Sequence, residues 1–137
     1  MKRVFILIAM MALVFNAQAG NDDWTNFKRY EKSNEEVKAL PQEQRKVVFM
    51  GNSITDNWAS RHPDFFKDNG YIGRGIGGHT TYQMVLRFYE DVVTLHPKAV
   101  VINGGTNDIA QNNHVYVEDR TFQNIVTMAQ IAKANGI

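Results

Sequence analysis

Three short apolar runs, each closed by glycines and small polar residues, constrain this chain more than any other feature. Val47-Val48-Phe49-Met50 leads into Gly51-Asn52-Ser53-Ile54-Thr55-Asp56. Tyr71 to Ile76, a weaker run, passes into the segment Gly75-Ile76-Gly77-Gly78-His79-Thr80-Thr81. Lys98 to Asn103 carries Ala99-Val100-Val101-Ile102 and ends in Gly104-Gly105-Thr106-Asn107-Asp108. Short runs that are apolar throughout, rather than alternating, suit strands buried on both faces of a parallel sheet.

Helical patterns separate these runs. Thr55 to Asp68 reads as a helix interrupted at Pro63, because proline cannot sit deep inside an unbroken helix. Thr80 to Leu95 reads as the clearest helix, with Val85, Phe88, Val92 and Leu95 at helical spacing. Thr80 and Gln83 form a capping-box pattern at its start, and His96-Pro97 ends it. Glu118 to Ala134 reads as a further helix with Phe122, Ile125, Ala129 and Ala132 on one face, stopped by Asn135-Gly136. Residues 20–45 form a leading helix and linker. There Trp24, Phe27 and Tyr30 or Glu31 make an aromatic stripe expected to pack on the main body, and Pro41 closes the segment. The order from residue 46 onward is strand, helix, strand, helix, strand, helix, which predicts an α/β architecture with a parallel sheet. A sheet that stops at three strands has open edges, so residues 46–137 read as the N-terminal part of a domain.

The first nineteen residues differ from the rest. Lys2-Arg3, an apolar run from Val4 to Phe15 and the small-x-small triplet Ala17-Gln18-Ala19 form the pattern of a cleaved signal peptide. The apolar run is shorter than the roughly 20 residues that a spanning helix needs. The expectation is therefore an exported protein, periplasmic or secreted, with no stable membrane anchor. Removing Met1 to Ala19 leaves 13 of the 15 basic residues against 14 acidic ones, a net charge of −1. That balance, without a basic run beyond Lys2-Arg3, excludes a nucleic-acid role. Cysteine is absent, so no disulfide framework supports the fold.

In a parallel α/β sheet, ligands sit beyond the carboxyl ends of the strands, where all three glycine-rich segments fall. Ser53, at a strand-to-helix turn, lies beside the amide field of a helix N-terminus. It could be a nucleophile or simply a helix N-cap. Its surroundings are not the Gly-x-Ser-x-Gly elbow, because Thr55 replaces the second glycine. The Gly78 amide and the Asn107 carboxamide are both N–H donors suited to a developing oxyanion. Each could equally serve a turn. Gly73, Gly75 and Gly78 also spell G-x-G-x-x-G, as in dinucleotide-binding oxidoreductases. That reading requires an acid at the end of the next strand, and Asn103 stands there. No P-loop is present.

Taken together, Gly51-Asn52-Ser53-Ile54-Thr55, Gly73-Arg74-Gly75-Ile76-Gly77-Gly78-His79-Thr80-Thr81 and Gly104-Gly105-Thr106-Asn107-Asp108 resemble, in order, the first three blocks of the SGNH hydrolases, also called GDSL esterases and lipases. The resemblance runs from about Lys46 to the end. It implies a flavodoxin-like three-layer α/β parallel sheet, truncated after about three strands. It also implies a serine ester hydrolase without metal or organic cofactor. Ser53 would be the nucleophile, and Gly78 and Asn107 the oxyanion-hole donors. The substrate would be a small ester, or an acylated carbohydrate or lipid, with acetyl the expected acyl group. Two departures stand out. Asn52 takes the place of the family's usual aspartate. The family's late Asp-x-x-His block, source of the general base, does not occur among these 137 residues, so the chain is expected to be inactive alone. A non-catalytic remnant or a carbohydrate-binding relative is the competing expectation. Of the histidines, His79 adjoins the proposed pocket, His62 and His114 read as surface residues, and His96 as a helix terminator. Asp56 and Asp108 read as capping or loop residues, and Arg74 as a substrate contact or a surface residue.

Overall fold

A computed structural model describes residues 23–137. The signal-peptide expectation for residues 1–19 lies outside the described residues. Three parallel strands, β1 (Val47–Gly51), β2 (Tyr71–Gly75) and β3 (Ala99–Asn103), form one sheet in the order β2-β1-β3. Val47 lies opposite Tyr71 on one side and Ala99 on the other, and Gly51 opposite Gly75 and Asn103. The order reverses at β1, so the crevice above β1 and β3 is where a sheet of this kind binds ligands.

Two helical layers cover the sheet. On one face lie α2 (Ser53–Arg61) and α3 (Pro63–Asn69), broken from each other at His62 as Pro63 requires. They meet an aromatic cluster in which Phe49 contacts Trp58, Phe66 and Tyr71 at ring-centroid distances of 5.1–5.4 Å. On the other face lie α4 (Thr81–Asp91) and α6 (Glu118–Ala134). Val48, Met50 and Ile72 point into this layer, against Met84, Phe88, Val92, Leu95 and Met128. All of those eight side chains but Ile72 are wholly sealed from solvent, and fully burying each one contributes about 1.5–3 kcal/mol. This is the parallel α/β sheet expected from the alternation of patterns, in the three-layer order that the resemblance implies.

Several local expectations need correction. The leading segment is helical, but as a single 3-10 turn (Phe27–Arg29) followed by α1 (Glu31–Lys38). Its aromatic stripe packs inward only at Tyr30, which reaches the Gly75 carbonyl: Trp24 is 46% and Phe27 38% exposed, and the buried positions are Thr25, Asn34 and Val37. A buried polar partner, Asp91, selects Asn34 over the aromatics. The helix expected over Thr80–Leu95 ends at Asp91 and gives way to a 3-10 turn, Val93–Leu95. The Thr94 hydroxyl bonds the Glu90 carbonyl at 2.7 Å, a local side-chain bond that competes with helix continuation. In α6 the buried positions are Thr121, Met128 and Ala132, with Ile125 against the core, whereas Phe122 is 65% exposed. β3 is an edge strand here, not a wholly buried one. Its Val101 is 42% exposed, because α2 and α3 pack on β1 and β2. A short helix, α5 (Thr106–Ile109), follows β3 where the sequence shows only a glycine-rich turn.

Candidate active site

Ser53 is the first residue of α2, directly after β1. The N-cap role falls to Asn52, whose side-chain oxygen accepts the Ile54 amide at 3.2 Å. Ser53 is thereby relieved of capping. Ser53 is half-buried, and its hydroxyl has no hydrogen-bond partner among the described residues. The Asn52 amide nitrogen is buried and unpartnered within the same residues.

The second glycine-rich segment comes up beside this serine. A Cβ on Gly75 would fall 2.2 Å from the Asp56 backbone nitrogen, so only glycine lets β2 lie this close to the first turn of α2. Ile76 to His79 form a tight turn closed by the His79 amide on the Ile76 carbonyl at 3.3 Å. Gly78 sits at its third position with φ +80°, as a type II turn requires. The Gly77 amide is taken by the Asp56 carboxylate at 3.3 Å. The Gly78 amide has no acceptor among the described residues, and the residue is exposed. Gly77 lies beside Ser53: a Cβ placed on it would be 3.9 Å from the Ser53 Cβ.

Asn107 lies on α5, beyond β3. Its side-chain nitrogen donates to the His79 carbonyl at 2.8 Å. One carboxamide hydrogen therefore ties the third segment to the second, and the other remains for a ligand. Asp108 beside it is wholly buried and caps α4. Its carboxylate accepts the Thr81 amide at 2.9 Å and the Thr81 hydroxyl at 2.6 Å. Asp56 and Asp108 thus have the loop and capping roles read from the sequence. The structure brings Ser53, Gly78 and Asn107 to the same end of the sheet.

The histidines are placed differently from one another. His79 is buried, and its Nδ1 accepts from Arg87 Nε at 3.2 Å, so its remaining proton sits on Nε2. Burial, reinforced by the Arg87 charge, pushes its pKa down to about 4. With Nδ1 so occupied, it is not poised to take a proton from Ser53. His114 is not a surface residue. Its Nδ1 lies 2.8 Å from the Val115 carbonyl and its Nε2 3.5 Å from the Asp108 carboxylate. Its ring packs on Tyr82 at 4.3 Å. His62 and His96 are exposed. No described histidine hydrogen-bonds Ser53, and no described group of His, Cys, Asp and Glu could hold a metal ion.

Arg74 is neither a surface residue nor an open substrate contact. It is buried, donating to Asn34 Oδ1 at 2.8 Å, the Gly73 carbonyl at 2.8 Å and Ser33 Oγ at 3.3 Å, with its guanidinium 4.6 Å from the Tyr30 ring centroid. Desolvation lowers its pKa to about 10. Asn34 passes the network on to Asp91 at 2.8 Å, and Asp91 pairs with buried Arg87 at 2.7 Å. Arg87 in turn holds the Gly51 carbonyl at 2.9 Å, two residues before Ser53. The Tyr30 hydroxyl holds the Gly75 carbonyl. This network joins the leading helix to the ends of β1 and β2, and sequence reading missed it. Isolated Asn, Arg and Asp residues on polar helices carry no periodic signal.

The model of the GDSL-like lipase/acylhydrolase family matches residues 49–136. The chain belongs to that family. A solved structure from Bacteroides fragilis, assigned as an acylhydrolase, is 59% identical with TM-score 0.80; the match covers 85% of this chain and 56% of that one. A GDSL-like lipase from Bacteroides thetaiotaomicron is 57% identical with TM-score 0.78, over 84% of this chain and 56% of that one. An acetyl xylan esterase is 26% identical with TM-score 0.53, over 67% and 54%. The chain therefore spans just over half the length of these relatives. No curated protein matches it.

Proposed function

We propose that this chain carries the nucleophile and oxyanion hole of a serine ester hydrolase that removes a short acyl group, with acetyl foremost, from a carbohydrate or lipid. The observation that carries this reading is the release of Ser53 from capping by Asn52 beside the unpartnered Gly78 amide. Ser53 Oγ attacks the ester carbonyl as its proton passes to a histidine base. The negative charge on the carbonyl oxygen is met by the Ser53 and Gly78 amides and the Asn107 side chain, and each such donor lowers the barrier by about 3–4 kcal/mol. The tetrahedral adduct expels the alcohol, and water then cleaves the acyl-serine by the same steps. The base is the histidine of an Asp-x-x-His segment of the kind seen in the family pattern. The similarity to an acetyl xylan esterase supports a carbohydrate ester, and that to a GDSL-like lipase a lipid ester.

The test is p-nitrophenyl acetate hydrolysis by the chain from Gly20 onward, alone and fused to the C-terminal part of the Bacteroides fragilis relative, each beside Ser53→Ala. Ser53-dependent turnover in the fusion supports the reading. A fusion that folds but shows no difference from Ser53→Ala sinks it and favours a non-catalytic carbohydrate-binding relative.

We also propose export directed by Met1 to Ala19. Among the described residues no helix is long and apolar enough to cross a membrane. N-terminal sequencing of the protein from a bacterial periplasmic extract should start at Gly20; a retained Met1 would contradict export.

A further inference from the structure

We propose that Arg87 is a positioning residue for the oxyanion hole, clamping the turn that presents the Gly78 amide to the end of the strand that leads into Ser53. The proposal rests on the hydrolase reading above and adds what holds its donors in place. Arg87 lies on α4, wholly buried, and makes no hydrogen bond to Ser53, Gly78 or Asn107. It acts through the groups it holds.

All three guanidinium nitrogens are used. Nη1 donates to the Asp91 carboxylate at 2.7 Å, one turn along the same helix. Nη2 donates to the Gly51 carbonyl at 2.9 Å, at the end of β1. Nε donates to His79 Nδ1 at 3.2 Å. The Gly51 carbonyl also accepts the Ile76 amide at 3.1 Å. Ile76 and His79 are the first and last residues of the turn that carries Gly78, so one planar group holds both ends of that turn. The hold reaches the second donor as well, because the His79 carbonyl accepts from Asn107 Nδ2 at 2.8 Å. The nucleophile's strand, the Gly78 turn and the Asn107 carboxamide therefore share one anchor.

An ion pair alone does not account for this residue. Arg87 and Asp91 stand four apart on one helix, and apolar residues of similar volume often match the stability of such a buried pair. An apolar pair could seal α4 against the sheet, but it could not bond the Gly51 carbonyl or the His79 ring. Lysine could pair with Asp91. As a point charge on a flexible stem, it could not hold two further acceptors in a fixed plane. The His79 ring must be neutral to accept, and burial, reinforced by the Arg87 charge, holds its pKa down to about 4. Small displacements count here. An oxyanion donor works at about 2.7–3.1 Å from the charge, and a misplacement of about 1 Å can cost about a hundredfold in rate.

The experiment measures p-nitrophenyl acetate hydrolysis near neutral pH by the fusion to the C-terminal part of the Bacteroides fragilis relative, with Arg87→Lys, His79→Leu and His79→Gln beside it. Arg87→Lys should lower kcat by about ten- to a hundredfold with KM within about twofold, the pattern of a lost transition-state interaction. His79→Leu leaves the Asp91 and Gly51 bonds of Arg87 in place and should lower kcat likewise. His79→Gln restores an acceptor for Nε and should recover most of the loss. Val92→Ala, a core truncation at the C-terminal end of α4, controls for stability: it should lower the urea midpoint and leave kcat unchanged. In parallel, amide and carboxamide spectra of the 137-residue chain should show Gly78 and Asn107 displaced in Arg87→Lys and His79→Leu but not in Val92→Ala. Where the fusion turns over through Ser53, kcat decides. Native kcat in Arg87→Lys and His79→Leu, or an equal loss in Val92→Ala, overturns the positioning role and leaves the hydrolase reading standing. If Arg87→Lys does not fold, the two His79 variants decide in the same way. If no Ser53-dependent turnover is found, the hydrolase reading falls, and the clamp stands or falls on whether the Gly78 and Asn107 signals move.

Discussion

The Asn107 side-chain nitrogen lies 2.8 Å from the His79 carbonyl oxygen, so the turn after β3 is latched directly to the turn after β2. That one bond fixes the spacing between the two proposed oxyanion donors, since Gly78 immediately precedes His79. It also explains how a carboxamide on a four-residue helix keeps a defined orientation.

Replacing Asn107 by Ala should therefore act twice. Loss of the latch should lower stability by about 1 kcal/mol, read as a shift in the urea midpoint at constant slope. In a catalytically competent fusion, loss of the second donor should lower kcat by about 10²–10³. A variant with full kcat would remove Asn107 from the oxyanion hole.

Asp56 should tolerate Asn far better than Ala. Asn keeps an acceptor for the Gly77 amide and gives up only the Arg29 pair, which is half exposed and worth little. Ala frees the glycine turn. Hydrogen exchange at Gly77 should speed up markedly in Asp56→Ala and change little in Asp56→Asn. Equal rates in the two variants would show that the carboxylate does not hold the turn.

The two glycines should respond to Ala for different reasons. At Gly75 the new methyl would meet the Asp56 backbone nitrogen at 2.2 Å, and relieving it means parting α2 from β2, at about 1–3 kcal/mol or more. At Gly78 nothing stands in the way, and the cost is only that of φ +80° for an L-residue, about 1–2 kcal/mol. Thermal unfolding should rank Gly75→Ala well below Gly78→Ala; the reverse order would contradict the close approach.

Buried His79 makes the fold acid-sensitive. Its folded pKa of about 4 lies below the ordinary value of 6.5, so the unfolded chain binds the proton more readily. Stability is complete above about pH 6.5 and declines as pH falls toward 4, by at most about 3 kcal/mol. His79→Gln keeps an acceptor for Arg87 and cannot titrate. Urea midpoints measured between pH 7 and 4.5 should fall less steeply for it than for the native chain; parallel curves would mean His79 protonates without cost.

Alternation of apolar runs with helical patterns was enough, from the sequence alone, to specify a parallel α/β sheet. Proline and glycine marked its breaks, because their backbone limits act wherever they stand. The glycine-rich ends of the three runs likewise marked Ser53, Gly78 and Asn107 as candidates. The tertiary structure alone decided what surrounds them. Asn52 rather than Ser53 caps α2, and Asn34, Arg74, Asp91 and Arg87 join into one buried network. His114 turns inward against Asp108, and Phe122 outward. Periodicity reports which faces are apolar. It cannot report which polar groups will find each other across long stretches of chain, because those pairings form only when the layers close and each buried donor must be matched.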